Sequence, residues 1–146
     1  MRKFIKMNNK INFFKTIFIL LIAVLSIANS YCQSAGKYSL SGYEAFKSKH
    51  FPVAIDYYSI AIELDPKNAD AYFYRGYSKA NLEDYRGAIL DFNKAIKLDP
   101  QNGYAYYKRG FSKLTLKDYA GAILDYTKAI GCYKRFSYLN NKLNKH

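Results

Sequence analysis

Residues that could perform covalent chemistry are scarce in this chain. Among its 146 residues there are two histidines and two cysteines. His50 lies in a stretch that should join two helices, and His146 is the last residue. Neither histidine is spaced with a partner as a metal site or a catalytic triad requires, and Cys132 lies far from His50 in the sequence. We therefore predict no catalytic residue, no metal site, no cofactor and no enzymatic activity.

Aromatic residues are the abundant candidates for binding, with 16 tyrosines and 10 phenylalanines. Phe73, Tyr77 and Ala80 have i, i+4, i+7 spacing, which puts them on one face of a helix. That face is offset from Tyr72 and Gly76, which should serve packing. Such rings supply contact area and stack on proline or a sugar ring. We predict an aromatic partner-binding trough, with the alternative that half of its rings are buried between helices; its members are Tyr43, Phe46, Phe73, Tyr77, Tyr107 and Phe111.

The segments that carry these rings recur with a fixed period. Gly42, Gly76 and Gly110 are 34 residues apart. A period of this length with helical patterning predicts a stack of helix hairpins, which presents a curved surface to partners. The same step is kept by two sets of alanines: Ala54, Ala88 and Ala122, and Ala61, Ala95 and Ala129.

Residues that begin and end helices set the bounds of each repeat. In the second unit, Ala69 to about Leu82 reads as helix A and Asp84 to about Leu98 as helix B. Asparagine and aspartate residues stand where the helices need N-caps, and Asp-Pro pairs end the B helices. The predicted domain covers 33–146, with repeats at 35–68, 69–102 and 103–136.

Two arginines occupy equivalent positions on the A helices of repeats two and three. Arg75 occurs together with Asp91, and Arg109 together with Asp125, whereas repeat one has neither charge in those positions. Because both members are lost together, we hypothesise that each arginine reaches across its hairpin to form a partly buried ion pair with the aspartate.

The stretches 74–100 and 108–130, and more loosely 42–66, carry a G…Y…A…F…A…P skeleton and resemble the tetratricopeptide repeat family. The resemblance covers residues 35 to about 130. It implies an all-α superhelix of three helix-turn-helix repeats and a scaffold for protein–protein interaction. Some members grip the terminal carboxylates of peptides with lysine and asparagine; the corresponding positions here carry tyrosine and phenylalanine, so we do not expect that mode.

The first 32 residues have the plan of a signal peptide or signal anchor. Five basic residues lie in the first fifteen, an uncharged apolar run follows at 16–28, and small residues come next. Cleavage is the preferred interpretation; retention of residues 16–31 as a membrane anchor and lipidation of Cys32 are the alternatives. In each case the domain is exported, which in a bacterium means the periplasm or the cell surface.

The tail, 131–146, has apolar residues at roughly helical steps and is predicted to cap the last repeat, whose apolar face would otherwise be exposed. Those residues are Tyr133, Phe136, Leu139 and Leu143.

The net charge is +12, and the five basic residues of the leader leave 12 − 5 = +7 on the rest. That remainder is scattered and forms no basic stripe, so we expect no nucleic-acid partner. We predict an exported interaction module whose groove holds a peptide or helix of an envelope protein. Cell-wall glycan binding by the same rings, and a structural or self-associating role in an envelope assembly, are the alternatives.

Overall fold

A computed structural model describes the backbone of residues 2–143 and the side chains of 15–31 and 33–138. This part of the chain contains six α-helices and no strand, which confirms the predicted all-α fold. The helices are α1 (Arg2–Lys47), α2 (Phe51–Leu64), α3 (Ala69–Asn81), α4 (Tyr85–Leu98), α5 (Gly103–Thr115) and α6 (Tyr119–Leu143).

The helices stack in chain order as three hairpins. Each helix packs on the next one, and α3 also contacts α1 and α5. The odd-numbered helices, here called A helices, therefore line one side of the stack, and the even-numbered B helices form the other. This arrangement is the superhelix that the repeat pattern predicts.

Side-chain caps fix the helix starts where the sequence places them. The Asn68 side-chain oxygen accepts a hydrogen bond from the backbone nitrogen of Ala71 at 2.9 Å, and Asp84 does the same for Gly87 at 2.9 Å. The turn from each A helix to its B helix contains one non-glycine residue in the left-handed region, with φ between 59° and 66°. These three are Lys49, Glu83 and Lys117.

Small residues let the helices of a hairpin approach closely. Ala54, Ala88 and Ala95 are fully buried, and Phe92 is buried with them. A Cβ added at Gly76 would lie 3.1 Å from the carbonyl oxygen of Ala88. The recurring glycine and alanine positions are therefore the contact points between helices, as the pattern predicts.

Helix α1 contains both the predicted leader and helix A of the first repeat, without an end between them. Side chains from Lys15 to Tyr31 are exposed, and Ala35 is the first buried residue among the described side chains. Among the described residues, Lys15–Lys47 includes the segment long and apolar enough to cross a membrane, a criterion that a signal sequence also meets.

Helix α6 continues through Gly131 without a break and runs on to Leu143. The segment predicted as a cap, 131–146, therefore begins as an extension of the last B helix, and its capping role stays a prediction. Phe136 and Tyr138 on this extension are 66% and 68% exposed. The side chains of residues 139–143, which include Leu139 and Leu143, and the whole of residues 144–146 lie outside the described part.

Candidate binding groove

A concave groove of about 620 Å³ opens on the side formed by the A helices. Helices α1, α3 and α5 contribute most of its walls, and the extension of α6 adds one ring. We call it the aromatic groove, and its lining residues are Tyr43, Phe46, Lys47, Phe73, Tyr74, Tyr77, Tyr104, Tyr107, Lys108 and Tyr133.

Five of the six predicted trough residues line this groove. The rings pack against one another across helices: the centroids of Phe46 on α1 and Tyr77 on α3 are 4.9 Å apart, and those of Tyr43 and Tyr74 are 5.4 Å apart. The sixth, Phe111, lies in an adjoining pocket of about 190 Å³ that shares Tyr77 and Lys108 with the groove.

The groove rings differ in how much surface they offer. Tyr43 and Tyr107 are 38% and 46% exposed, so they present faces or edges to a ligand. Phe73 is only 8% exposed and contacts the core ring of Phe92, with centroids 5.9 Å apart. The alternative of burial between helices therefore holds for Phe73, while Tyr77 is half-buried.

Three tyrosines of the groove were missed from the sequence: Tyr74, Tyr104 and Tyr133. Tyr74 precedes Lys108 by one repeat period, and both side chains line the groove. The available signal for Tyr74 was its i, i+3 spacing from Tyr77, which makes the two side chains neighbours on the helix surface. Tyr133 enters because α6 continues past Cys132, the position equivalent to Leu98 where α4 ends, which brings the Tyr133 ring 5.5 Å from that of Tyr104.

Lysine side chains give the groove a positive potential. The Lys108 ammonium donates a hydrogen bond to the Tyr77 hydroxyl at 2.8 Å and lies 3.9 Å from the centroid of that ring. Lys47 lies 5.6 Å from the Tyr43 ring centroid and pairs with Glu44 at 3.6 Å, so Lys108 supplies most of the positive charge. Since no carboxylate lines the groove in the described residues, its electrostatics favour an uncharged or acidic ligand.

Two tyrosine hydroxyls of the groove, those of Tyr74 and Tyr133, remain protonated at neutral pH. Burial raises the pKa of Tyr74, with a further contribution from neighbouring Tyr43. Burial likewise raises the pKa of Tyr133 beside Tyr104. These hydroxyls can therefore both donate and accept hydrogen bonds to a ligand.

The described residues contain no group of three or more histidine, cysteine or acidic side chains that could hold a metal ion. Cys132 is a free, half-buried thiol. The aromatic groove itself is built from aromatic rings and two lysines.

The family model of the tetratricopeptide repeat matches residues 40–102 and 76–135. The chain belongs to the tetratricopeptide repeat family. No curated protein sequence matches it significantly.

Solved structures of the same fold support this assignment. One is the TPR2B domain of yeast Sti1 in complex with pHsp70. It is 31% identical, the match covers 68% of this chain and 80% of that chain, and the TM-score is 0.67. The Arabidopsis OM64 TPR domain is 27% identical, with coverages of 80% and 98% and a TM-score of 0.70. A third is the second TPR of Spaghetti (RPAP3) bound to the HSP90 peptide SRMEEVD. It is 25% identical, with coverages of 72% and 96% and a TM-score of 0.69.

Proposed function

We propose that the protein is an interaction module that holds an extended peptide or a helix of a partner protein in the aromatic groove. The observation that carries this proposal is the groove itself, which gathers rings from three successive A helices into one open concave surface of about 620 Å³. Two of the similar solved structures are complexes, one with pHsp70 and one with an HSP90 peptide. They support peptide binding as the kind of function proposed for this groove.

Contact with apolar side chains supplies most of the affinity. Tyr43 and Tyr107 offer exposed rings, and aromatic anchors in a concave site dominate binding energies. Lys108 already interacts with Tyr77 within the groove, so its charge adds selectivity and a faster encounter rather than most of the energy.

Crosslinking from the groove and a binding measurement test this proposal. A photoreactive residue at Tyr107 identifies the partner in cells, and the purified partner segment is then titrated into the chain by calorimetry. The double variant Tyr77→Ala with Tyr107→Ala should weaken binding at least tenfold, since hot-spot truncations cost about 2 kcal/mol or more.

The matched control carries Leu90→Ala with Leu124→Ala, two leucines on B helices that are 70% and 68% exposed and lie outside the groove. It should bind as the natural chain does. Undiminished binding by the folded groove variant would reject the groove as the site. Binding to purified wall polysaccharide in the absence of protein would assign the rings to glycan recognition instead.

We further propose that the module acts outside the cytosol, in the periplasm or at the cell surface, and that its partner is an envelope protein. The exposed apolar segment 16–31 ahead of the solenoid supports export. Mass spectrometry of the mature N-terminus tests it: a start at Tyr31 or Gln33 means cleavage, lipid on Cys32 means a lipoprotein, and an intact chain in membranes means an anchor. A full-length chain in the cytosol would contradict export.

A further inference from the structure

The B helices carry the same three apolar residues at equivalent positions, an aromatic ring followed by two isoleucines. In the first two repeats the aromatic ring and the first isoleucine are half-buried, and the second isoleucine packs on the next A helix: Ile62 clusters with Ala71 and Tyr72 of α3, and Ile96 with Ala105 of α5. Both isoleucines are 9% exposed. The sets are Phe51, Ile55 and Ile62; Tyr85, Ile89 and Ile96; and Tyr119, Ile123 and Ile130.

The third set remains uncovered in the part of the chain that the structure describes. Tyr119, Ile123 and Ile130 on α6 are 60%, 65% and 55% exposed, and together they form what we call the trailing face. This face keeps the residues of an internal helix–helix interface, so it is shaped to receive another helix rather than water.

The described chain does not return to cover the trailing face. Helices α2 and α4 end at Leu64 and Leu98, where an Asp-Pro pair reverses the chain. Helix α6 instead continues past the equivalent position, Cys132, to Leu143. At about 1.5 Å per residue, this extension leads the chain roughly 16 Å away from the stack.

The opposite end of a second copy does not fit the trailing face. On α1 the repeat position of Ala71 and Ala105, both fully buried against the preceding B helix, is occupied by Lys37. The position of the arginine that reaches back to the preceding hairpin is occupied by Ser41. Head-to-tail stacking would therefore bury an unpaired lysine, which is costly.

We propose that the trailing face is a two-fold interface, on which the trailing face of a second copy of this chain packs antiparallel. In a register centred beside Thr127, Ile123 of one copy lies opposite Ile130 of the other, and the Tyr119 ring lies opposite the exposed Lys134. Isoleucine pairs and a lysine–tyrosine contact then repeat on both sides of the axis, as an isologous interface requires. The groove lies on the A-helix side and stays open, so this inference is independent of the proposed function.

Sedimentation of the full-length chain in detergent across a dilution series tests the interface. The chain should be a dimer that dissociates on dilution, and Ile123→Glu should raise the dimer dissociation constant at least tenfold. Leu90→Glu is the matched control, because Leu90 is 70% exposed on α4 away from the trailing face. A monomer at about 100 μM, a dimer unaffected by Ile123→Glu, or species that grow beyond a dimer would overturn the proposal.

A cysteine near the axis provides a gain of signal that does not depend on disrupting the fold. Thr127→Cys should give a reducible dimer under mild oxidation, since the two thiols approach across the two-fold axis, whereas Leu90→Cys reports the background from the natural cysteines. The double variant Tyr77→Ala with Tyr107→Ala should crosslink through Thr127→Cys as efficiently. Equal crosslinking at positions 90 and 127 would contradict the proposed axis.

Discussion

Arg75 on α3 donates hydrogen bonds to both carboxylate oxygens of Asp91 on α4, from Nη2 to Oδ1 at 2.6 Å and from Nε to Oδ2 at 3.0 Å. The Asp91 side chain is only 6% exposed, and Lys79 adds a second cation 2.7 Å from Oδ2. A buried carboxylate with two cationic partners holds the two helices of the hairpin in one register.

The arginine also reaches back to the preceding hairpin. Arg75 Nη1 donates to the Ser59 hydroxyl on α2 at 3.2 Å, and Arg109 Nη1 donates to the Asn93 side-chain oxygen on α4 at 2.6 Å. Each arginine therefore connects three consecutive helices. Since Tyr74 and Tyr77 lie on the same helix as Arg75, this network also sets the position of the groove wall.

Truncation of either member of this pair should destabilise the fold strongly. Asp91→Ala should lower the free energy of unfolding by about 3–5 kcal/mol, because two cations lose their buried partner. The Arg75→Ala, Asp91→Ala double variant should cost less than the sum of the single changes, by about 0.5–3 kcal/mol. Urea unfolding of the four proteins measures this coupling.

The exposed pair Glu44 and Lys47, 3.6 Å apart, is the control. A solvated pair of this kind contributes about 0–1 kcal/mol, so Glu44→Ala should have little effect. Strict additivity of the Arg75 and Asp91 changes would contradict the ion pair.

Sequence reasoning found this pair but not its third member. Arg75 and Asp91 were linked because repeat one lacks both charges. Lys79 was not linked to them, although repeat one has Ala45 at that position and so loses all three charges at once. That joint loss was the signal for a carboxylate with two cations.

The groove was predictable only as far as the repeats are regular. Periodicity placed Tyr43, Phe46 and Tyr77 on one surface, because equivalent residues of stacked A helices face the same side. It could not place Tyr133, since the third repeat lacks the Asp-Pro that would end its B helix. How far α6 runs depends on packing after Gly131, which no repeat position specifies.

Acid should remove the contribution of Asp125, the equivalent carboxylate of repeat three. Burial raises the pKa of Asp125, but hydrogen bonds from Arg109 and Lys113 together outweigh it and hold the pKa below its ordinary value. A lowered folded-state pKa gives stability that is present above the unfolded value of about 4 and is lost as the pH falls through the folded value.

The variant Asp125→Asn isolates this effect. At pH 7 it should lower the free energy of unfolding by about 3 kcal/mol, because Arg109 and Lys113 lose a buried counter-charge. The difference from the natural chain should shrink steadily below about pH 4. Urea unfolding from about pH 2 to about pH 7 measures it, because this range brackets the unfolded-state pKa of about 4. A difference that stays constant with pH would contradict the lowered pKa.

A methyl group should have opposite effects at two glycines within helices. At Gly76 an added Cβ would lie 3.0 Å from the Asp91 Cβ and 3.1 Å from the carbonyl oxygen of Ala88. Gly76→Ala should therefore lower the free energy of unfolding by about 1–2 kcal/mol, as overpacking outweighs the gain in helix propensity.

At Gly131 nothing lies within 4 Å of the added Cβ, so Gly131→Ala should raise the free energy of unfolding by up to about 1 kcal/mol. Thermal and urea unfolding of both variants provide the comparison. Equal effects at the two positions would mean that the helices of the hairpin are not in close contact at Gly76.

Removing the hydroxyl of Tyr58 should stabilise the fold. This side chain is 1% exposed, and its hydroxyl has no hydrogen-bond partner among the described residues. Its ring stacks on Tyr74 with centroids 5.8 Å apart, and Phe92 fills the same position in repeat two. Because a buried unpaired hydroxyl costs about 1–3 kcal/mol, Tyr58→Phe should raise the free energy of unfolding by about 1 kcal/mol.

The matched control is Tyr126→Phe, the equivalent change in repeat three, where the ring is only half-buried and the effect should stay within about 0.5 kcal/mol. Burial raises the pKa of Tyr58 well above its ordinary value, so its hydroxyl stays protonated and the gain should not vary with pH from 5 to 9. Urea unfolding measures both variants. A loss of stability in Tyr58→Phe would mean that the hydroxyl makes a hydrogen bond in the folded protein and that the first hairpin is packed differently around Gly42.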